Sequence, residues 1–174
     1  MIWAKHLRFL GLVLAIVVWK GAIAQESTNQ VAVKSDWSVF ADTNPKQCWG
    51  VSQPLKTVNT KDGKKVTVRR GDIRLFVTFT PGTGGAGVVA FKGGYSFDGG
   101  EPVQIKIDKQ SFDLAVENDW AWTTPEGDVP ILVAMKKGAI AVVSALSNKG
   151  TRTADTFSLK GFTAAMAEAE ARCK

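Results

Sequence analysis

A chain of 174 residues, 45% hydrophobic and 22% charged, is sized for one globular domain preceded by a targeting segment. Its net charge of +6 raises the question of an anionic partner. A lone histidine, His6, and two cysteines leave few means for imidazole or thiol chemistry.

The first 24 residues carry the order of a secretory signal. Lys5 and Arg8 precede an apolar run, Phe9 to Trp19, and Ala22-Ile23-Ala24 supplies a small-x-small cleavage site. The run is too short for a spanning helix, which needs about 20 residues, so cleavage after Ala24 is expected over an uncleaved signal anchor. Removing 24 of the 174 residues leaves a 150-residue chain. Three of the 22 basic residues (Lys5, Arg8 and Lys20) leave with the signal, which lowers the net charge from +6 to +3. Much of the basicity therefore belongs to targeting, and a nucleic-acid partner loses its main support. His6 leaves as well. A mature chain without imidazole excludes Ser-His-Asp and Cys-His catalysis and histidine metal sites. No cofactor is expected, and the expected location is periplasmic or secreted, free or associated with the outer membrane.

Residues 25–34 are polar without an apolar period and read as a flexible lead-in. Residues 35–174 read as a single domain of short strands. In "DWSVFAD", Trp37 and Val39 share one face. "CWGVSQ" follows an Asn44-Pro45 turn, and its Cys48 is one of the two cysteines. In an oxidising compartment the default for Cys48 and Cys173 is a disulfide, with two free thiols as the alternative. The bridge would close a loop of about 125 residues, worth roughly 4–5 kcal/mol in the chain-entropy account. "LKTVNTKDGKKVTVRR" predicts a hairpin, with Asp62-Gly63 supplying the positive φ angles of a tight turn. "IRLFVTFT" is the strongest strand pattern in the chain.

The stretch "PGTGGAGVVAFKGGY" contains G-x-G-x-x-G at Gly82, Gly84 and Gly87. A dinucleotide site needs a helix after those glycines, because the helix N-terminus holds the phosphate. Only Val88 to Lys92 follow before Gly93-Gly94, too few residues for a helix and rich in β-branched side chains. The pattern therefore predicts a glycine-rich loop between antiparallel strands, and no nucleotide. "PVQIKID" and "SFDLAVE" alternate as strands, and "DWAW" puts Trp120 and Trp122 on one side. "GDVPILVAMKKG" predicts a short helix, with Asp128 as cap, Pro130 in the first turn, Lys136-Lys137 in the last and Gly138 as a left-handed stop. "AIAVVSAL" and "TRTADTFSL" predict a hairpin across Asn148-Lys149-Gly150. In the tail, Phe162, Ala165, Met166, Ala169 and Cys173 form one apolar helical stripe. The expected fold is mainly β: an antiparallel, immunoglobulin-like β-sandwich with a short internal helix and a C-terminal helix, a barrel being second choice.

Several clusters have both a chemical and a plain reading. Arg70-Gly71-Asp72 spells an adhesion tripeptide, but it directly precedes a core strand and reads better as a turn. Lys61, Lys64, Lys65, Arg69 and Arg70 crowd one hairpin. Alternation places Lys65 and Arg69 on a common face able to meet lipid headgroups or acidic glycans, the plain reading being a solvated face. Tyr95, Trp120 and Trp122 are candidates for an aromatic platform for sugar or peptide. Core burial is the commoner fate of tryptophan in a sandwich, and is expected for Trp37 and Trp49. Glu117, Asp119, Glu126 and Asp128 are the densest carboxylates. Paired acids hydrolyse glycosides without histidine, but nothing in the sequence fixes their separation.

The segments "NPKQCW", "RRGDIRLFVTF", "GGY.F", "WAW" and "KGTRT.DTFSL.GFTAA...A...C" resemble the invasion-associated locus B family of secreted bacterial proteins, over about residues 37 to 173. The resemblance implies a β-sandwich, an envelope location and no established catalytic residues. Ala41 stands where that family's Trp-x-x-x-Cys pattern, begun at Trp37, would place a cysteine. Together these readings predict a non-enzymatic envelope accessory or binding protein acting by surface contact. Its expected partner is an envelope protein, a glycan or an anionic lipid surface. The alternatives are a periplasmic inhibitor or chaperone-like protein, and a histidine-free glycan hydrolase.

Overall fold

The structure, a computed structural model, describes residues 29–82 and 87–174. The expected signal peptide and Gly84 of the glycine pattern lie outside the described residues.

Strand β1 (Gln30–Lys34) begins the described chain. The lead-in expected over residues 25–34 is thus corrected: its last five residues pair antiparallel with β2 (Trp37–Thr43). A register shift between Gln30 and Ala32 breaks the alternation that would have marked the strand. Next come β3 (Lys46–Ser52), β4 (Lys56–Lys61), β5 (Lys64–Lys65), β6 (Arg74–Phe79), β7 (Val88–Lys92), β8 (Val103–Ile107), β9 (Gln110–Glu117) and β10 (Trp120–Trp122). Helix α1 (Pro125–Lys137), strands β11 (Ile140–Leu146) and β12 (Arg152–Ser158), and helix α2 (Phe162–Arg172) complete the order.

Among the described residues all the pairings are antiparallel, in one ladder: β1-β2-β3-β6-β7-β10-β9-β8-β11-β12-β4-β5. The ladder folds over at β9. Gln110 to Leu114 pair with β8, while Ala115 to Glu117 pair with β10. The expected sandwich is therefore two half-sheets continuous through one shared strand. The glycine-rich stretch joins two antiparallel neighbours, β6 and β7, and Val88 opens a strand where a nucleotide site would need a helix.

The inner faces carry the core. Val77 and Leu75 of β6, Val89 and Phe91 of β7, Ile105 of β8, Leu114 of β9, Val143 of β11 and Phe157 of β12 are fully buried. Phe91 meets Phe157 edge-on at 6.1 Å, one contact between the half-sheets. Both helices pack inward. Helix α2 lies on β1, β2, β3 and β6, and α1 on β7 and β9. The predicted stripe of Phe162, Ala165, Met166 and Ala169 is buried, and Phe162 meets Trp37 edge-on at 5.0 Å. Cys173 ends that stripe and is bonded to Cys48 of β3, with Cα atoms 5.8 Å apart.

Helix α1 starts earlier than its sequence suggests. Thr124 precedes it, Pro125 takes the first turn, and Pro130 falls inside. Asp128 is correspondingly not the cap. It is buried and accepts a hydrogen bond from Thr123 Oγ1, which itself accepts from Val89 N at 3.1 Å and so ties α1 to β7. Gly138 has φ −76° and is no left-handed stop. Glycine is needed there for another reason: a Cβ would come within 2.5 Å of Ile107 Cγ2. The hairpin turns behave as expected, with Asp62 and Gly63 at φ 50° and 73°.

Candidate functional site

A sheet strand that buries one face normally shows water a polar one. The outer face of the first half-sheet departs from that rule. Cys48 and Gly50 of β3 point inward, so Trp49 points out; Ala121 of β10 is buried, so Trp120 and Trp122 point out. Register then brings the outward residues together in rows. Phe40, Trp49, Thr78 and Val88 lie opposite one another across β2, β3, β6 and β7. The adjacent row runs Val51, Phe76, Ala90, Trp122. A third runs Arg74, Lys92, Trp120, Glu117.

The rings organise into walls. Phe40 and Trp49 stack at 5.5 Å with planes 7° apart, and Trp120 and Trp122 stack at 5.3 Å and 21°. Phe76 sits 5.3 Å from Trp120. Between them, the small side chains of Thr78, Val88 and Ala90 leave a floor, and the resulting groove encloses about 450 Å³. Lys92 Nζ lies 5.1 Å over the Trp120 ring and 3.6 Å from Asp119, so the groove has a charged rim. Among the described residues, the indole hydrogen bonded within the protein is that of Trp37, which donates to Ser158 O at 3.0 Å. The indoles of Trp49, Trp120 and Trp122 keep their donors for solvent or a ligand.

The sequence-predicted candidates separate here. Trp37 is core, as expected; Trp49, Trp120 and Trp122 are half-buried on the outer face, which corrects the core expectation for them. Tyr95 does not join the platform. It lies against Arg70, whose guanidinium carbon is 4.9 Å from the ring centroid, and its hydroxyl meets Thr153 Oγ1 at 2.6 Å. Burial pushes the Tyr95 phenol up from its ordinary range, opposed by the Thr153 hydrogen bond and the Arg70 charge.

Arg70 is the centre of a buried network that the sequence did not reveal. It forms a two-pronged pair with Asp155, at 2.8 and 2.6 Å, and donates to Gly93 O at 2.9 and 2.7 Å and to Asn59 Oδ1 at 3.3 Å. Arginine has five N–H groups, and these contacts use all of them. Burial raises the Asp155 carboxyl, and the Arg70 contact opposes it. The tripeptide Arg70-Gly71-Asp72 thus has its cation locked inside, and Gly71 N is held by Gly94 O at 2.9 Å. The turn reading fits this geometry; the adhesion reading does not.

Lys65 and Arg69 do not share a strand face, because strand pairing ends at Lys65. Arg69 instead lines a separate cleft with Lys149. The four carboxylates take different partners, although Glu117 and Asp119 share the β9–β10 turn. Asp128 is buried against Thr123, Asp119 pairs with Lys92, and Glu117 lies at the end of β9. Glu126 is held below its ordinary value by its own backbone N–H and by Thr124. Among the described residues no group of three or more His, Cys, Asp or Glu is placed to hold a metal ion.

Comparison with known proteins gives the family. No curated protein matches the chain. The crystal structure of invasion associated protein B from Bartonella henselae is similar at a TM-score of 0.57 and 13% identity, over 80% of this chain and 95% of that one. At that identity the likeness shows the fold alone. The model of the invasion associated locus B (IalB) proteins matches residues 37–170. The chain belongs to the IalB family.

Proposed function

We infer that this chain is a non-enzymatic accessory or binding protein of the cell envelope, working by surface contact through the outer aromatic groove. One observation carries the reading. Trp49, Phe76, Trp120 and Trp122 line a groove on the solvent side of a sheet whose other side already holds a core. Cross-strand aromatic pairs add modestly to a sheet's own stability, whereas desolvated aromatic anchors dominate contact energetics. Stacked indoles with unused N–H donors suit a partner that offers flat apolar faces edged by hydroxyls or carbonyls, such as a glycan chain or an extended peptide. The export pattern of residues 1–24 and the Cys48–Cys173 bridge support an envelope setting.

The test is equilibrium binding to envelope material from the native cells, read by tryptophan fluorescence. Trp37 is buried, so a change in emission reports the outer indoles. Saturable binding that W120A/W122A abolishes, with the fold retained, is the expected result. Binding that survives the double substitution, or robust saturable hydrolysis of an envelope glycan, overturns the reading.

A further inference from the structure

A second cavity, of about 340 Å³, opens where three connections meet. Its walls are the linker before β6 at Arg69 and Arg70, the turn after β7 at Gly94 to Ser96, and the β11–β12 turn at Ser147 to Thr151. Arg69 and Lys149 line it, and Lys61 Nζ donates to Lys149 O at 3.0 Å, which places a third cation beside the β11–β12 turn. Among the described residues, none of these three lies within ion-pair distance of a carboxylate, while Arg70, which also lines the cavity, is neutralised by Asp155. Among the described residues, no carboxylate lines the cavity. Hydroxyls do: Ser96, Ser147, Thr151 and Thr153. Ser147 Oγ accepts Thr151 N at 3.0 Å and so retains its own hydrogen to donate.

Such a cleft is the complement of an anion with several acceptor oxygens. The guanidinium fork of Arg69 and the point charge of Lys149 supply charge from two different connections, the linker before β6 and the β11–β12 turn. Arg70, which also lines the cavity, is fixed by all five of its N–H groups and has its charge balanced by Asp155. The volume exceeds what a bare phosphate needs and admits a glycerol- or sugar-sized remainder. We propose that this cleft binds a phosphate ester, carried by a soluble phosphorylated molecule or by a lipid headgroup. The site is distinct from the aromatic groove, so either can fail without the other.

The experiment is a titration of the folded, exported protein followed by backbone amide NMR. The probes are inorganic phosphate, glycerol 3-phosphate, and vesicles of phosphatidylcholine with or without phosphatidylglycerol. Saturable binding of one equivalent of glycerol 3-phosphate is expected, with shifts concentrated at Gly94 to Ser96 and Asn148 to Thr151. Both R69A and K149A, which alter exposed side chains, are expected to weaken it about tenfold, as loss of a charge-assisted hydrogen bond would. K109A, on the β8–β9 turn, leaves it unchanged. Vesicle binding that requires phosphatidylglycerol and is lost in R69A/K149A identifies the lipid source; binding of the soluble esters alone identifies the soluble one. Absence of saturable binding to every phosphate probe, or binding that R69A/K149A leaves intact, overturns the proposal.

Discussion

Arg70 and Asp155 are the residues on which the interior is most exposed to failure. Their side chains are 6% and 0% accessible, so removing either leaves the other's charge buried without its counter-ion. R70A and D155A are each expected to cost about 3–5 kcal/mol in chemical denaturation, whereas the double replacement R70M/D155L costs less than their sum. Losses below about 1 kcal/mol for the single variants would refute the account of this network. At the surface, Glu168 receives Arg172 at 2.8 Å and lies 3.4 Å from Lys34 of β1, and these contacts hold its carboxyl below the ordinary range. A depressed carboxyl stabilises the fold above its unfolded pKa, about 4.3, and that contribution is lost as pH falls through the lower folded-state value. Thermal stability should therefore decline more steeply on acidification in the wild type than in E168Q. Little of this was legible beforehand. The turn at Arg70-Gly71-Asp72 could be read from its neighbours, but the partner of Arg70 is 85 residues away, and no local pattern reports it.

At the scale of elements, the disulfide fastens the last turn of α2 to β3, and α2 in turn covers the inner face of four neighbouring strands. C173S is expected to lower stability by about 2–5 kcal/mol and to speed hydrogen exchange first in the C-terminal turn of α2. Uniform loss of protection across the sheet, with α2 unchanged relative to it, would contradict that order. G138A tests a different contact: the added methyl must displace Ile107, and about 1–3 kcal/mol should be lost despite an unstrained φ. Helix α2 was legible because its apolar residues recur at helical spacing and end on a cysteine. The outward Trp49 was also within reach, since alternation places it opposite Cys48, and a cysteine bonded to a buried helix stripe must point inward. The two-residue period alone grouped Trp120 with Trp122 but gave no sign of which face they took. The start of α1 was missed because Asp128 matches a cap by composition while its carboxylate answers Thr123 in the tertiary fold. Strand β1 escaped notice because a register shift hides its period.

For the molecule as a whole, strand periodicity and turn residues carried the sandwich, and the sequence segments resembling the family agreed with it. The order of strands was not accessible, since β4 pairs with β12 and β8 with β11 across long stretches of chain. Nor was the aromatic groove, which exists only once register aligns residues from β3, β6, β7 and β10. That alignment is the basis for the central claim, that the protein acts by contact at this face. The direct measurement is photo-crosslinking in the native cells, with the reactive residue placed at Thr78 on the groove floor or, as a control, at Gln104 on the exposed side of β8. The account predicts a discrete envelope adduct from position 78, absent from position 104 and lost in W120A/W122A. Adducts of equal yield from both positions, or an adduct at 78 that persists without the two tryptophans, would contradict it.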